Sequence, residues 1–240
     1  MTVSVLVPAF NEAGGLAETL ARIREALPAF HARGWATELI VCDNNSSDAT
    51  AAVARAGGAT VVFEPVNQIA RARNRAARAA CGDWLLFIDA DSLPSPGLFA
   101  ETADAIDAGA LAGGALVRME DRAAAARAGV AIWNAISVTM RWAAGSYVFV
   151  DAAVFREIGG FDEAFYASEE VDLCRRLKRV ARRRRRPIAI LRRHRLVTSS
   201  RKLRLYTFRE TAGFLLRTAL SGGRTLTRRD ACFVWYDGRR

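Results

Sequence analysis

Residues 84–92 read WLLFIDADS, a run of five apolar side chains that ends in two aspartates one residue apart. A glycine precedes the run and prolines follow it. A short, fully apolar run with these boundaries is typical of a strand that is buried on both faces of a parallel sheet. Residues i and i+2 of an extended segment point the same way, so Asp89 and Asp91 are predicted to face one crevice, with Ala90 between them. Ligands bind at the carboxyl edge of parallel strands, and two neighbouring carboxylates favour a cation there.

Strand-like and helix-like segments alternate through the first ninety residues. Strands are predicted at 3–10, 38–43, 59–64 and 84–89, and helices at 16–27, 46–57 and 68–81. Alternation of this kind predicts βαβ units with right-handed crossovers. Ser46 or Ser47 is predicted to cap the second helix. The predicted fold class is therefore α/β, with a mostly parallel, Rossmann-like sheet flanked by helices.

The second half of the chain is less regular. The segments predicted there are a strand at 144–150, a short helix and loop at 154–166, a helix at 168–183, a short strand at 188–191 and an amphipathic helix at 205–220. The third of these places Val171, Cys174 and Leu177 on one face, as a helix packed on a core does. No repeat and no linker rich in proline or serine interrupts the chain, so one domain over residues 1–240 is expected.

Composition narrows the class of protein. The 240 residues are 51% hydrophobic and 25% charged, which is typical of a globular domain. Four scattered cysteines without a CxxC pair argue against disulfides and zinc clusters and fit a reducing compartment. No signal-peptide pattern precedes the first strand and no run reaches the roughly 20 apolar residues of a membrane span, so a cytoplasmic protein is expected.

Charge is distributed unevenly along the chain. Residues 175–240 hold 22 Lys+Arg and 3 acids, a net +19, whereas residues 1–174 carry a net −9. This asymmetry indicates an anionic partner such as a membrane surface or a phosphorylated substrate, and a solvated arginine-rich surface is the alternative. The arginines at 182–186 would suit either a helix C-terminus or anionic lipid. Nucleic acid is not expected, because no aromatic residues interleave with that run.

Polar segments follow three of the predicted strands. They are PAFNE at 8–12, DNNSSD at 43–48 and DAD at 89–91. The carboxyl ends of parallel strands gather along one edge, so these segments are predicted to form one site. The acids suit hydrogen bonds from a base or ribose, and a cation would bridge a diphosphate to the aspartates. Arg71, Arg73, Asn74 and Arg75, on the helix before the fourth strand, are candidates to face the phosphates.

These motifs, in this order, resemble the family 2 glycosyltransferases with the GT-A fold. The resemblance spans roughly residues 3 to 195 and rests on VLVPAFNE (5–12), ELIVCDNNSSDAT (38–50), ARARNRA (70–76), LLFIDADS (85–92), GGFDE (159–163) and EEVDLCRRL (169–177). It implies an inverting, metal-dependent transfer of a sugar from a nucleotide-diphosphate sugar to an acceptor hydroxyl. Synthesis of cell-envelope glycans, glycolipids or polysaccharides is the setting that it implies.

The resemblance also implies roles for individual residues. The donor-binding set that it implies is Pro8, Phe10, Glu12, Asp43, Asn45, Arg73, Asn74, Asp89 and Ala90. The DAD segment corresponds to the DXD metal motif, so Asp91 and Asp89 are expected to hold Mn²⁺ or Mg²⁺. His194 is a candidate extra ligand by likeness to family members that use a C-terminal histidine, although a solvated histidine is the alternative.

The catalytic base falls in the acidic pair of EEVDLCRRL. The family has an aspartate in an ED pair there, whereas this chain has Glu169 and Glu170. The glutamate side chain is longer than that of the family's aspartate, so its carboxylate is displaced. Glu170 is favoured as the base, and Glu169 and Asp172 remain alternatives. Acids in the first turn of a helix are also stabilised by its dipole, which is the structural alternative. The second departure is Asn45, where the family often has glycine, and asparagine tolerates the left-handed conformation.

The single domain is expected to divide into functional parts. Residues 1–110 are expected to bind the nucleotide sugar, residues 111–195 the acceptor and base, and residues 196–240 to form a basic helical C-terminal region. Expected partners are the donor, a glycan, lipid-linked or small-molecule acceptor, and an anionic membrane surface on whose inner face the protein would be peripheral. A nucleotidyltransferase is disfavoured because PAFNEAGG has no basic residue, and a dehydrogenase because no GxGxxG follows the first strand. A non-catalytic nucleotide-binding relative stays open because of the altered acidic pair. A protein that uses the arginine-rich C-terminal region to bind an anionic surface or nucleic acid is the other alternative.

Overall fold

The computed structural model of the chain describes residues 1–119, 124–198 and 224–232. The strands are β1 (Thr2–Ala9), β2 (Ala36–Asp43), β3 (Thr60–Phe63), β4 (Trp84–Ile88), β5 (Ser92–Leu93), β6 (Ala112–Met119), β7 (Tyr147–Asp151) and β8 (Ile188–Thr198). The helices are α1 (Leu16–Ala26), α2 (Pro28–His31), α3 (Thr50–Ala56), α4 (Ile69–Ala79), α5 (Pro96–Asp107), α6 (Ala124–Met140), α7 (Ala152–Glu157) and α8 (Glu169–Arg184). A short 3₁₀ turn spans Arg224–Thr227. The strands form one sheet in the order β3-β2-β1-β4-β7-β6-β8-β5.

The first half of the sheet is parallel, as the alternating sequence predicts. β1 pairs with β2 and β4, and β2 pairs with β3, all in the same direction. Apolar side chains of α1 and α5 fill one core layer, and those of α4 and α8 fill the other, on opposite faces of these strands. Burial from both sides explains why β4 has no alternation of apolar and polar residues. The α/β prediction is confirmed.

The second half of the sheet reverses direction at β7. This strand runs antiparallel to β4, with Tyr147 opposite Ile88. It therefore begins at the edge where β4 ends, and the loop before it, residues 141–146, lies at that edge. The strand at 144–150 was predicted, but its direction was not.

Strand β6 was not predicted, and its sequence AGGALVRM contains two glycines. Both glycines lie against other parts of the chain. A β-carbon on Gly113 would clash with the carbonyl oxygen of Ala189, and one on Gly114 with the β-carbon of Ala143. Glycine weakens an isolated strand, but it lets another segment approach the backbone closely. At these two positions the close contact with neighbouring segments outweighs the weakening of the strand.

Two predicted boundaries are wrong. Helix α3 begins at Thr50, and neither predicted serine caps it; the Ser46 hydroxyl accepts from the Asn11 N–H instead, at 3.0 Å. Strand β8 is 11 residues long rather than four, with a bulge opposite the stretch between Ala115 and Val117 of β6. The bulged residues donate three backbone N–H groups, at 2.9 to 3.1 Å, to the buried carboxylate of Glu101, which makes this polar segment part of the sheet. The predicted helix at 205–220 and most of the basic C-terminal region lie outside the described residues.

The four cysteines are all unpaired, and only Cys81 is exposed. The described parts of the chain contain no helix with the length and hydrophobicity needed to cross a membrane.

Candidate active site

The carboxyl ends of β1, β2 and β4 meet at one edge of the sheet. Ala9 lies beside Asp43, and Leu6 beside Phe87, so the segments that follow these strands are neighbours. This confirms that the three polar segments come together. Their contacts with a donor stay a prediction.

The aspartate pair sits in a turn rather than on an extended strand. The Ser92 N–H donates to the carbonyl of Asp89 at 3.1 Å, which closes a turn over residues 89–92. The expectation of an extended segment is therefore wrong, although both acidic side chains remain partly exposed. Ala90 is buried and its carbonyl accepts from the Thr19 hydroxyl at 2.8 Å. It ties the turn to α1, so a direct contact of its side chain with a ligand is not supported.

The loop after β2 is built by its asparagines. Asn45 has a φ of +63°, in the left-handed region that asparagine was expected to tolerate, and is exposed. Asp43 is buried, and one of its carboxylate oxygens accepts from the Ser46 N–H at 3.0 Å. Asn44, which the sequence did not single out, accepts from the Gln68 N–H at 2.9 Å. This buried amide also donates to the carbonyls of Glu64 and Val66, so it fixes the loop to the segment at 64–68, and only the structure reveals this role.

The loop after β1 packs against the loop after β2. Asn11 also has a positive φ, of +51°, and its side-chain oxygen accepts from the Ser47 N–H at 2.8 Å. Glu12 is buried, and its N–H donates to the Thr50 hydroxyl at 2.8 Å. Pro8 is buried within β1, and Phe10, partly exposed, follows that strand. The predicted donor residues of the first two strands therefore share one rigid part of the edge.

Arg73 is the centre of a buried charge cluster. Its guanidinium bonds Asp89 at 2.9 Å, Glu169 at 2.5 Å and the Gly145 carbonyl at 2.8 Å, and the side chain is 3% exposed. Its charged group also lies 5.2 Å from the centre of the Phe161 ring. The cluster joins α4, β4, the loop before β7 and the start of α8. Arg73 is thus committed to two carboxylates, and the expectation that it faces phosphates is not supported.

Asn74, the next residue, faces the GGFDE segment instead of the strand ends. Its side chain accepts from the Phe161 N–H at 2.9 Å and donates to the Phe161 carbonyl at 2.9 Å. It also donates to Glu163 at 3.0 Å, and Arg71 and Arg78 pair with the same carboxylate. Both polar groups of the Asn74 side chain are therefore engaged by the GGFDE segment. The predicted donor role of Asn74 is corrected to support of this loop.

Glu170 lies beside the cluster in a cavity of about 200 Å³. The lining includes Arg73, Asp89, Gly145, Tyr166 and Glu169. Within the described residues Glu170 forms no ion pair, whereas Glu169 pairs with Arg73 and Asp172 with Arg176, the latter at 2.7 Å. Burial and the neighbouring Glu169 carboxylate raise the pKa of Glu170 to about 8, although Arg73 opposes this. Of the three acids open as a base, Glu170 is the one placed to exchange a proton near neutral pH.

The start of α8 aims these acids. Ser168, immediately before the helix, has a φ of +61°, so the chain turns sharply into the first helical turn. The helix N-terminus stabilises anionic side chains, which fits the acids of that turn. Dipole stabilisation alone would leave them in solvent, whereas Glu169 is buried against a cation.

His194 lies apart from the aspartates. It is in the bulge of β8, and its ring packs against Gly97, where a β-carbon would be 2.5 Å from a ring carbon. The residue of β8 that pairs beside the aspartate turn is Thr198, opposite Ser92. The expected extra metal ligand is therefore not brought to the site.

Asp89 and Asp91 are suited to a cation that takes further ligands from a bound molecule. Within the described ranges no group of three or more His, Cys, Asp and Glu side chains is suited to hold a metal ion. Asp89 and Asp91 supply carboxylate oxygens, which Mn²⁺ and Mg²⁺ prefer, but Asp89 shares its charge with Arg73. Two carboxylates suit a metal that takes its other ligands from a diphosphate and water. They do not form a prebuilt metal centre.

An α/β sheet with acids and a cavity at its carboxyl edge defines a GT-A-like domain of the glycosyltransferase type. The family model described as Glycosyl transferase family 2 matches residues 4–153, more than half of the chain. The chain belongs to that family, and the resemblance stated from its motifs is confirmed.

Solved structures share the fold at low sequence identity. S. aureus TarS with UDP-GlcNAc is 16% identical at a TM-score of 0.64, over 93% of this chain and 66% of that one. The mannosyltransferase PcManGT of Pyrobaculum calidifontis with GDP-Man and Mn²⁺ is 19% identical at 0.64, over 94% and 62%. Glucosyl-3-phosphoglycerate synthase of Mycobacterium tuberculosis with Mn²⁺, UDP and phosphoglyceric acid is 20% identical at 0.59, over 96% and 78%.

A sequence match among curated proteins is short. TPR repeat-containing protein Synpcc7942_0270 of Synechococcus elongatus is 46% identical over 55 residues, which are 22% of this chain and 14% of that protein. The chain also spans less than two thirds of the TarS and PcManGT chains. The solved structures support the fold of this chain, and its substrates need separate evidence.

Proposed function

We propose that this protein transfers a sugar from a nucleotide-diphosphate sugar to an acceptor hydroxyl, with Glu170 as the catalytic base. The observation that carries the proposal is the placement of Glu170. It is the carboxylate without an ion pair among the described residues of the cavity, and it lies beside the Arg73 cluster at the carboxyl edge of the sheet. A base needs a pKa near the working pH, and burial raises that of Glu170 to about 8.

The reaction is a direct displacement at the anomeric carbon. The acceptor oxygen forms the new bond to that carbon while the bond from the carbon to the diphosphate oxygen breaks. The hydroxyl proton passes to a Glu170 carboxylate oxygen, and the electron pair of the broken bond leaves with the nucleoside diphosphate. Attack opposite the leaving group inverts the anomeric centre.

The other acids have supporting roles in this proposal. Asp91, with Asp89, would hold a divalent cation, which when bound neutralises the charge of the leaving diphosphate. Arg73 keeps Asp89 and Glu169 in place and leaves Glu170 as the proton acceptor. Pro8, Phe10, Glu12, Asp43 and Asn45 line the part of the edge proposed to bind the nucleoside.

Known relatives of this fold support the donor class. Three solved structures of this fold are complexes with UDP-GlcNAc, GDP-Man and UDP, two of them with Mn²⁺. The base and sugar used by this chain are left to experiment.

Calorimetry with UDP, GDP and dTDP, each with and without Mn²⁺, tests the proposal. We expect one nucleotide to bind only with Mn²⁺, and Asp91→Ala to abolish that binding. Asp107→Ala is the matched control, because Asp107 is an exposed acid on α5 that pairs with Arg33. If none of the three nucleotides bound, the donor assignment would be wrong. If both variants bound the nucleotide equally, Asp91 would not be a ligand of the cation.

A non-catalytic nucleotide-binding relative is the second candidate, because Glu169 and Glu170 replace the usual acidic pair. This candidate predicts the same metal-dependent nucleotide binding but no turnover. Release of nucleoside diphosphate from the bound sugar nucleotide, in wild type and in Glu170→Gln, separates the two. Equal, negligible release from both proteins would favour the non-catalytic candidate.

A further inference from the structure

A second cavity, of about 520 Å³, opens between the C-terminal ends of α6 and α8. Five cationic side chains line it: Arg141, Lys178, Arg182, Arg185 and Arg186. The acidic residues of the described chain contribute nothing to this lining. It is separate from the cavity at Glu170, since Lys178 lies eight residues further along α8, about 12 Å at the helical rise.

Most of these cations lack a counter-charge among the residues that the structure describes. Within the described residues, Arg186 pairs with Asp151 at 2.9 Å, but the other four form no ion pair. The arginine run at 182–186 is thereby divided. Arg183 and Arg184 turn to Glu157, whereas Arg182 and Arg185, which line the cavity, form no ion pair within the described residues.

The environment of Lys178 reflects this crowding. Burial, together with the charges of Arg182 and Arg141, lowers the pKa of its ammonium group. The Nζ atom lies 5.5 Å from the centre of the Trp142 ring, which is a weaker partner than a carboxylate. The C-terminal dipole of α8 acts over its last turn only, so it does not reach Lys178. An anion in the cavity would remove the repulsion among these groups.

An exposed apolar stripe on α6 leads to this cavity. Ile132, Ile136 and Met140 are 64%, 38% and 43% exposed, at a spacing that places them on one helix face. They are half of the large apolar side chains that the described chain exposes, so the exposure is concentrated here. Met140 itself lines the cavity. Apolar surface next to a cationic pocket matches a molecule with an anionic head and a hydrocarbon tail.

We propose that this pocket binds the phosphate head group of an anionic lipid, whose hydrocarbon chain lies against Ile132, Ile136 and Met140. A free phosphate compound would use the cations but leave the stripe unexplained, which is why a lipid is the occupant. Binding there would hold the protein at a membrane surface through α6 and α8. The inference stands independently of the nucleotide-sugar proposal, because its site shares no side chain with the donor edge.

Vesicle co-sedimentation tests the lipid site. Phosphatidylcholine vesicles with and without phosphatidylglycerol are compared for wild type and for the triple variant Arg141→Gln, Lys178→Gln, Arg182→Gln. We expect wild type to bind only the anionic vesicles. Each cation near such a surface is worth about fivefold in affinity, so the triple variant should bind about 100-fold more weakly.

A matched variant separates the pocket from overall charge. Arg22→Gln, Arg55→Gln, Arg179→Gln also removes three exposed cations, one of them from α8. We expect it to keep affinity within about threefold, since these arginines lie outside the pocket. Equal weakening of both triple variants, or full binding by the pocket variant, would overturn the proposal. Circular dichroism and nucleotide binding check that both variants fold.

The stripe gives a second, independent readout. Ile132→Ser, Ile136→Ser keeps every cation and should weaken vesicle binding about tenfold or more, because the two apolar side chains that the lipid would bury are lost. Soluble glycerol phosphate, titrated by calorimetry, should bind this variant and wild type equally and weakly. If glycerol phosphate bound tightly while anionic vesicles did not bind, the occupant would be a free phosphate compound and the lipid assignment would be wrong.

Discussion

The two ends of helix α8 carry opposite charges and compensate them differently. At the N-terminal end, Glu169 is buried against Arg73, and one acid, Glu170, is left in a cavity without an ion pair among the described residues. At the C-terminal end, Arg182 and Arg185 line a cavity whose described neighbours include no acid to pair with them. Both ends agree with the helix dipole, so the dipole does not explain the difference.

The comparison teaches how partners give a charged residue its role. At the acidic end, burial and the neighbouring Glu169 carboxylate raise the pKa of Glu170 against the opposing charge of Arg73, so Glu170 can accept a proton near neutral pH. Cations that face one another without acids define a surface that needs an external anion.

Replacement of the proposed base should have the largest effect. Glu170→Gln keeps the shape of the side chain but removes the proton acceptor, so the turnover number should fall about 10²- to 10⁴-fold. Nucleotide affinity should change little, because the variant leaves the donor edge intact. Asp172→Asn, two residues further along α8 and engaged with Arg176, should lose less than about tenfold. A fall below tenfold for Glu170→Gln would remove it as the base.

Loss of the buried cation should destabilise the fold strongly. Arg73→Met leaves Glu169 and Asp89 uncompensated, and breaking a buried pair costs about 3–5 kcal/mol. Arg71→Met is the control on the same helix, because Arg71 pairs at 3.4 Å and is 39% exposed, which is worth at most about 1 kcal/mol. Urea unfolding measures both.

The double variant Arg73→Met, Glu169→Gln sharpens this test. It removes an acid along with the cation, so it should recover part of the lost stability. If it were no more stable than Arg73→Met, lost packing rather than uncompensated charge would explain the effect.

Stability and activity should respond to pH in opposite directions. The pKa of Glu170 is raised from 4.5 to about 8 in the folded chain. Its contribution to stability is therefore full below the lower value and is lost as pH rises through the higher one. Wild type should lose more unfolding free energy than Glu170→Gln between about pH 5 and pH 8, while activity, which needs the carboxylate, rises. Parallel stability curves for the two proteins would show that the pKa is not raised.

A substitution at the basic C-terminal end of α8 should change the stability least. Lys178→Gln removes a partly desolvated charge among like charges, so stability should stay the same or rise by up to about 0.5 kcal/mol. Thermal unfolding beside Arg73→Met gives the contrast directly. A loss of 2 kcal/mol or more would mean that Lys178 has a stabilising partner, and the C-terminal end would resemble the N-terminal one.

Much of the site's composition was readable from the sequence. The apolar run before Asp89, the acids after β1 and β2, and the ordered motifs predicted the sheet edge, the family and the acidic pair. These signals are local: strand length, the residue at a strand end and helix periodicity each depend on a few neighbouring residues.

The direction of the later strands and the contact partners of the site residues could not be predicted from the sequence. The reversal of β7, the strand hidden in AGGALVRM and the bulge that carries His194 away from the aspartates depend on pairing between distant segments. Arg73 and Asn74 illustrate the same limit, since adjacent residues of one helix face a charge cluster and a loop, respectively.

The sequence by itself determined which residues follow the parallel strands, because alternating apolar segments force those strands into one buried sheet with a common edge. Only the tertiary structure decided what each charge does there. Electrostatic roles depend on distance and burial, and the contacts that set them, between Arg73 and Glu169 or around Lys178, join segments far apart in the chain.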